Sequence, residues 1–206
     1  MSRKEEIIYA TLELASIHGL KAVSLSMIAD KVGIKKPSLY NHFKSKEEIV
    51  SAMYAFLREH AKKKNEVPDD LSVLFEGRTL EEILLVCLSG YMQFLTVSEM
   101  LCFFKVLYAE RSTSPEAAQI MLEESDRMVR YTKTLFYALV VHGKMKNADI
   151  DTAALSYAMT IHSLVDLQMD SIIATRAGFP EKVAPSPELL AYIRWFSKQM
   201  EVTEHE

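Results

Sequence analysis

Between Ser24 and Glu48 the chain reads SLSMIADKVGIKKPSLYNHFKSKEE, and no other stretch limits the fold so tightly. Leu25, Ile28, Ala29 and Val32 recur at i, i+3, i+4 and i+7, which lines one face of a short helix. Gly33 then supplies the left-handed position that ends it. Beyond Ile34 the pattern predicts a second short helix, with Leu39 and Phe43 four apart as its buried pair. Ala29 is small enough to let the two helix axes approach closely. Two short helices joined by a tight glycine turn make a helix-turn-helix, whose second helix is shaped to enter a DNA major groove.

Capping chemistry on both flanks agrees. Ser24 is placed to cap the first helix of the pair, and Ser45 with Glu48 forms an S-x-x-E capping box for the next one. Pro37 is tolerated because the first turn of a helix needs no amide donor. The string resembles the N-terminal domain of tetracycline-repressor (TetR) family regulators through Ile28, Ala29, Gly33, Leu39, Tyr40, His42, Phe43, Ser45 and Lys46. Lys35 is a departure, since the family often has a serine or threonine cap there, and the start of the second helix is open by a residue or two. The resemblance implies an all-α protein. A three-helix helix-turn-helix DNA-binding domain would occupy residues 1–46, and a helical effector-binding and dimerisation domain residues 47–206, with about nine helices in all.

Charge is distributed unevenly. Residues 1–65 hold twelve Lys/Arg against seven Asp/Glu, a net of +5, while the remainder hold twelve against twenty-one, a net of −9, which recovers the overall −4. A basic head on an acidic body suits a protein that presents one end to phosphate; chance segregation of surface charge is the alternative. Cys87 and Cys102 lie fifteen apart in apolar helical stretches, a pattern of neither a disulfide framework nor a zinc site, and one that fits a reducing cytoplasm. The start MSRKEEIIYA lacks the apolar core of a signal peptide, and apolar runs such as 83–88 and 136–141 are too short to span a membrane. The expectation is a cytoplasmic protein with no membrane partner.

Helical periodicity continues along the chain. A first helix is predicted from Arg3 to His18, stopped by Gly19, and a long one from Lys46 to about Lys64. Residues 65–78, with Pro68, Asp69, Asp70 and Gly77, read as the joint between domains. Thr79 with Glu82, Ser98, Ser114 with Pro115, Asp149 or Asp151, and Ser186 with Pro187 then open five further helices. A loop is expected over 176–185, around Gly178 and Pro180, and a frayed tail over 201–206.

On the second helix of the pair, Lys36, Ser38, Tyr40 and Asn41 are expected to face outward. Asn41 suits bidentate pairing with adenine and Lys36 suits guanine, while Lys35 could reach either a base or a phosphate. Lys46 and Ser24 lie at helix N-termini, where free amides favour an anion. The family resemblance implies phosphate contacts for Tyr40 and His42; packing between helices is the alternative for both.

A single head offers few base contacts, so specificity calls for two heads on a palindromic double-stranded operator. Helices apolar over much of their circumference need a partner beyond their own core, and residues 152–174 with Leu189, Ile193 and Phe196 meet that description. The resemblance implies a homodimer through these last two helices. His162, Asp166 and Asp170 at i, i+4 and i+8 make a polar stripe in the same region. It could fix dimer register, reach solvent, or bind a ligand or metal, and no metal is assigned. Tyr91, Phe94, Phe103, Phe104, Tyr108, Tyr131 and Tyr137 suit either an ordinary core or the walls of an apolar pocket, and the resemblance favours a small-molecule effector.

Neither G-x-S-x-G, H-E-x-x-H, a phosphate-binding glycine loop nor Cys-x-x-Cys occurs, so no enzyme and no cofactor is expected. The resulting expectation is a dimeric transcriptional regulator, a repressor released by a small molecule. The alternative is a helical dimeric interaction protein that has lost sequence-specific DNA binding, against which Lys35, Lys36, Tyr40, His42 and Lys46 argue.

Overall fold

Ser2 begins the chain's first helix by an exchange of hydrogen bonds. The Ser2 N–H donates to the Glu5 carboxylate at 2.6 Å while the Glu5 N–H donates to Ser2 Oγ at 3.3 Å, a full capping box. The computed structural model describes residues 1–64, 71–175 and 183–202. Among these there are ten helices and no strand: α1 (Arg3–His18), α2 (Leu25–Val32), α3 (Lys36–Leu39), α4 (Lys46–Lys64), α5 (Ser72–Phe75), α6 (Leu80–Thr96), α7 (Ser98–Glu110), α8 (Pro115–Val141), α9 (Ile150–Ala174) and α10 (Pro187–Met200). The all-α expectation holds. The additional helix is the single turn α5, inside a stretch whose composition reads as irregular. Pro68, Asp69 and Asp70 of the expected joint, Gly178 and Pro180 of the expected loop, and residues 203–206 of the expected tail lie outside the described residues.

Local caps follow the sequence at most helix starts. Thr79 and Glu82 exchange hydrogen bonds at 2.8 and 3.3 Å, Ser114 accepts from the Ala117 N–H, Asp149 from Thr152, and Ser186 from Leu189. Ser98 does not cap α7. Val97 takes the cap position without a side-chain bond, and the Ser98 hydroxyl turns to Glu99.

The chain forms two compact units. The first holds α1–α4, α7 and the opening of α8 as far as Leu122. Helix α1 is its axis and packs on α2, α4 and α7. That role requires apolar side chains on more than one face, which Ile7, Ile8, Leu12 and Ala15 supply, all of them buried. Thr11, buried among them, donates its hydroxyl to the Ile7 carbonyl at 2.8 Å, so this hydroxyl is met within its own helix. Ile28, Leu39, Ile49, Met53, Leu57 and Phe103 are among the other buried residues of this core.

The second unit holds α5, α6, α8 from Glu123, α9 and α10. Its core is built from Leu84, Leu88 and Met92, from Leu135, Phe136 and Leu139, and from Tyr157, Ile161, Leu189, Ile193 and Phe196. Phe196 lies 5.5 Å from the Phe136 ring and 4.8 Å from the Tyr157 ring. Leu189, Ile193, Phe196 and Met200 follow the i, i+4, i+7, i+11 spacing that turns one face of α10 inward.

Candidate DNA-binding and effector sites

Ser24 Oγ accepts the Met27 N–H at 3.2 Å and starts α2. At the other end Gly33 adopts φ 74° and ψ 33°, the left-handed conformation expected of it. Its N–H reaches the Asp30 carbonyl and the Ile34 N–H reaches Ala29, which together form a Schellman ending. Ile28 and Ala29 are buried against the neighbouring helices, and Leu39 and Phe43 are buried from the other side of the turn.

The second helix is shorter than the sequence suggests. Lys35 occupies the cap position with no side-chain bond, Pro37 stands in the first turn, and regular helix ends at Leu39. The chain nevertheless keeps turning. Tyr40, Asn41 and His42 donate to carbonyls three residues back, and the Phe43 N–H donates to the Leu39 carbonyl at 3.0 Å. Because the helical path persists to Phe43, Lys35, Lys36, Tyr40 and Asn41 are all exposed along one continuous turn, while Ser38 and His42 are half-buried. Tyr40 is 51% exposed, which favours the contact reading over packing for that ring.

Lys46 departs from its expected place. It is half-buried, and its ammonium donates to the Leu20 carbonyl at 2.6 Å and more distantly to that of Lys21 at 3.5 Å. The capping box below it is also offset. Ser45 Oγ accepts the Glu48 N–H at 3.2 Å, but the Glu48 carboxylate takes the Lys44 N–H instead of that of Ser45.

The aromatic residues expected to line an effector pocket are divided between the two units. Phe103, Phe104 and Tyr108 lie on α7 in the first unit, where Phe103 is fully buried 6.4 Å from the Tyr54 ring and Arg111 covers Tyr108. Tyr91, Phe94, Tyr131 and Tyr137 belong to the second unit. Tyr137 is exposed and donates to the Asp151 carboxylate at 3.1 Å, unlike the more enclosed Tyr91 and Tyr131. Tyr131 hydrogen-bonds Cys87, and burial pushes the Cys87 thiol up to about 11 and the Tyr131 phenol up to about 12.

Leu189, Ile193 and Phe196, expected at a dimer surface, are core residues of their own chain. The polar stripe on α9 is divided too. His162 Nδ1 lies 3.2 Å from the Tyr91 hydroxyl on α6, its Nε2 lies 3.6 Å from Asp166, and Asp170 is exposed. His162 therefore faces a helix of its own unit. Among the described residues no three His, Cys, Asp or Glu side chains form a metal-type cluster, and no single helix is long and apolar enough to cross a membrane.

A capped helix, a left-handed glycine turn and a short exposed second helix on a basic head define a helix-turn-helix DNA-binding regulator. A sequence profile described as bacterial regulatory proteins of the tetR family matches residues 7–53. One described as the AefR-like transcriptional repressor C-terminal domain matches residues 82–182. The transcriptional repressor KstR2 of Mycolicibacterium smegmatis is 45% identical over 49 residues, which are 24% of this chain and 24% of that repressor's length. The transcriptional regulator SrpR of Pseudomonas putida is 28% identical over 153 residues, 73% of this chain and 67% of SrpR. In fold the chain is similar to a transcriptional regulator from Saccharomonospora viridis solved with choline, with a TM-score of 0.67 at 15% identity over 97% of this chain and 98% of the other. The chain belongs to the TetR family of transcriptional regulators. It is a DNA-binding regulator and not an enzyme.

Proposed function

We propose that the protein is a homodimeric cytoplasmic repressor that binds a two-fold operator and leaves it when a small molecule occupies the helical domain. The observation that carries this reading is the exposed turn from Lys35 to Asn41, held on a buried frame of Ile28, Ala29, Leu39 and Phe43. Lys35, Lys36, Ser38 and Asn41 serve as base or phosphate contacts, and Tyr40, His42 and the Ser24 helix end as phosphate contacts. Repression is supported by the names of KstR2 and of the matching C-terminal profile. Effector binding is supported by the fold relative solved with choline, and the division into residues 1–46 and 47–206 follows that allocation of tasks.

The dimer surface lies on the outward faces of α9 and α10. Ser156, Ser163, Leu167 and Ala174 recur along α9 at helical spacing and are exposed, and Leu190, Ala191 and Trp195 are exposed on α10. Small side chains allow a second copy's helices to approach closely, with Leu167, Leu190 and Trp195 as apolar anchors.

Selection of bound duplexes from a random pool at about 150 mM salt, near physiological, tests the reading. Recovery of an inverted repeat is the expected result. Enrichment of a single unpaired half-site would remove the dimer from the proposal, and no enrichment at all would remove the operator.

A further inference from the structure

Three polar stripes meet inside the second unit. Tyr91 stands on α6, Glu124, Arg127 and Tyr131 recur at i, i+3 and i+7 on α8, and His162 and Asp166 stand at i, i+4 on α9. Specific approaches run between and within them. The Tyr91 hydroxyl meets His162 Nδ1 at 3.2 Å, His162 Nε2 lies 3.6 Å from Asp166, and an Arg127 guanidinium nitrogen lies 2.8 Å from Glu124 Oε1. Glu124 and Asp166 are both close enough to Tyr91 to oppose ionisation of its phenol. Most of this apparatus is removed from water: the Glu124 and Arg127 side chains are 13% and 22% exposed.

One donor in the cluster has nothing to meet. Arg127 Nη1 is buried and makes no hydrogen bond. A buried N–H on a charged group is costly to leave unmet, so the arrangement calls for an acceptor from outside the chain. The charges limit what that acceptor can be. Glu124 already faces Arg127 and Asp166 already faces His162, so a further carboxylate would meet two acidic neighbours and an ammonium would meet the guanidinium. The stripes stand in an otherwise apolar helical core.

From this we infer that the second unit binds an uncharged, largely apolar molecule whose acceptor oxygen, a ketone or amide carbonyl, takes the free Arg127 Nη1–H, one turn from the Glu124 carboxylate that acts on the Tyr91 phenol. The inference deepens the effector reading above and rests on it for its regulatory meaning. A trapped water would meet the same donor but would not discriminate among ligands.

Isothermal titration of the full-length protein, without DNA, with three probes of one shape provides the test: 2-acetylnaphthalene, 2-naphthoate and 2-naphthylmethylammonium. The ketone is expected to bind at least tenfold more tightly than either charged analogue. Arg127→Lys keeps a cation beside Glu124 but loses the planar fork, and it is expected to weaken the ketone at least tenfold with an unchanged melting midpoint. Tyr91→Phe retains the ring and provides the second variant, with an expected loss of at least threefold. Equal or tighter binding of either charged probe, unchanged ketone affinity in both folded variants, or no binding by any probe would overturn the inference. Ketone binding that depends on Arg127 but leaves operator affinity unchanged supports the site and removes effector release from the proposed function.

Discussion

The Lys46 ammonium and the Leu20 carbonyl, 2.6 Å apart, tie the first turn of α4 to the segment that leads into α2. The carbonyls of Leu20 and Lys21 lie just before the Ser24 cap, so this one side chain braces the helix-turn-helix from behind. A lysine so engaged is expected to act on DNA through the shape of the head. Lys46→Met is therefore expected to lower the melting temperature and weaken operator binding while leaving the slope of log affinity against log salt unchanged. Lys36→Ala, at an exposed position, is expected to reduce that slope by about one unit with little change in stability. A reduced slope in Lys46→Met would return Lys46 to the phosphate-binding set.

Asn41 is exposed at the end of the turn that continues α3, where its amide can present a donor and an acceptor together. Asn41→Ala is expected to cost about 1–3 kcal/mol on the preferred operator and to relax one position in each half-site. Binding measured across single-base operator variants checks this, and an unchanged rank order would exclude Asn41 as a base reader.

Tyr54 fills the first unit's core beside Phe103, yet its buried hydroxyl has no hydrogen-bond partner. Burial, reinforced by Glu110 and Glu116, pushes its phenol up to about 12. Cys87 at about 11 and Tyr131 at about 12 are raised in the second unit. In each case the folded chain holds a proton that the unfolded chain releases near its ordinary value, 9.0 for the thiol and 10.0 for the phenols. Their contribution is complete below those values and is lost as pH rises towards the folded-state ones. Stability should accordingly decline from about pH 9 upward, as read from urea midpoints at pH 8 to 11. Tyr54→Phe removes the unmet hydroxyl. It is expected to raise stability by about 1 kcal/mol at pH 7 and to soften the alkaline decline.

What was legible in the sequence was chemistry between near neighbours. Ser24, Thr79, Ser114, Asp149 and Ser186 cap as expected because a cap needs only a side-chain oxygen and an amide two or three residues on. Gly33 was legible because left-handed backbone favours glycine. Where the stripes face was not. The spacing of Leu189, Ile193 and Phe196 marks a buried face, but the same pattern arises whether the covering helices come from this chain or from a second copy. Likewise, aromatic residues from Tyr91 to Tyr137 look like one population along the chain, although folding puts Phe103 and Tyr108 in one unit and Tyr91 and Tyr131 in the other. The bond from Lys46 to Leu20 was not legible for a related reason: its partner lies twenty-six residues earlier, beyond the reach of any local rule.

The proposed dimer uses only the outward face of α10, while the inward face belongs to the chain's own core. Trp195 is 57% exposed beside Phe196 at 6%, so substitutions at adjacent positions test different events. Trp195→Arg, alone or with Leu167→Arg, is expected to leave the helical content and monomer fold intact while shifting sedimentation from dimer to monomer, with loss of tight binding to the two-fold operator. Truncating Phe196 to alanine instead removes a ring packed on Phe136 and Tyr157, and is expected to destabilise the fold itself by about 3–5 kcal/mol. A Trp195→Arg chain that sediments and binds the operator as the parent does would place the dimer surface elsewhere.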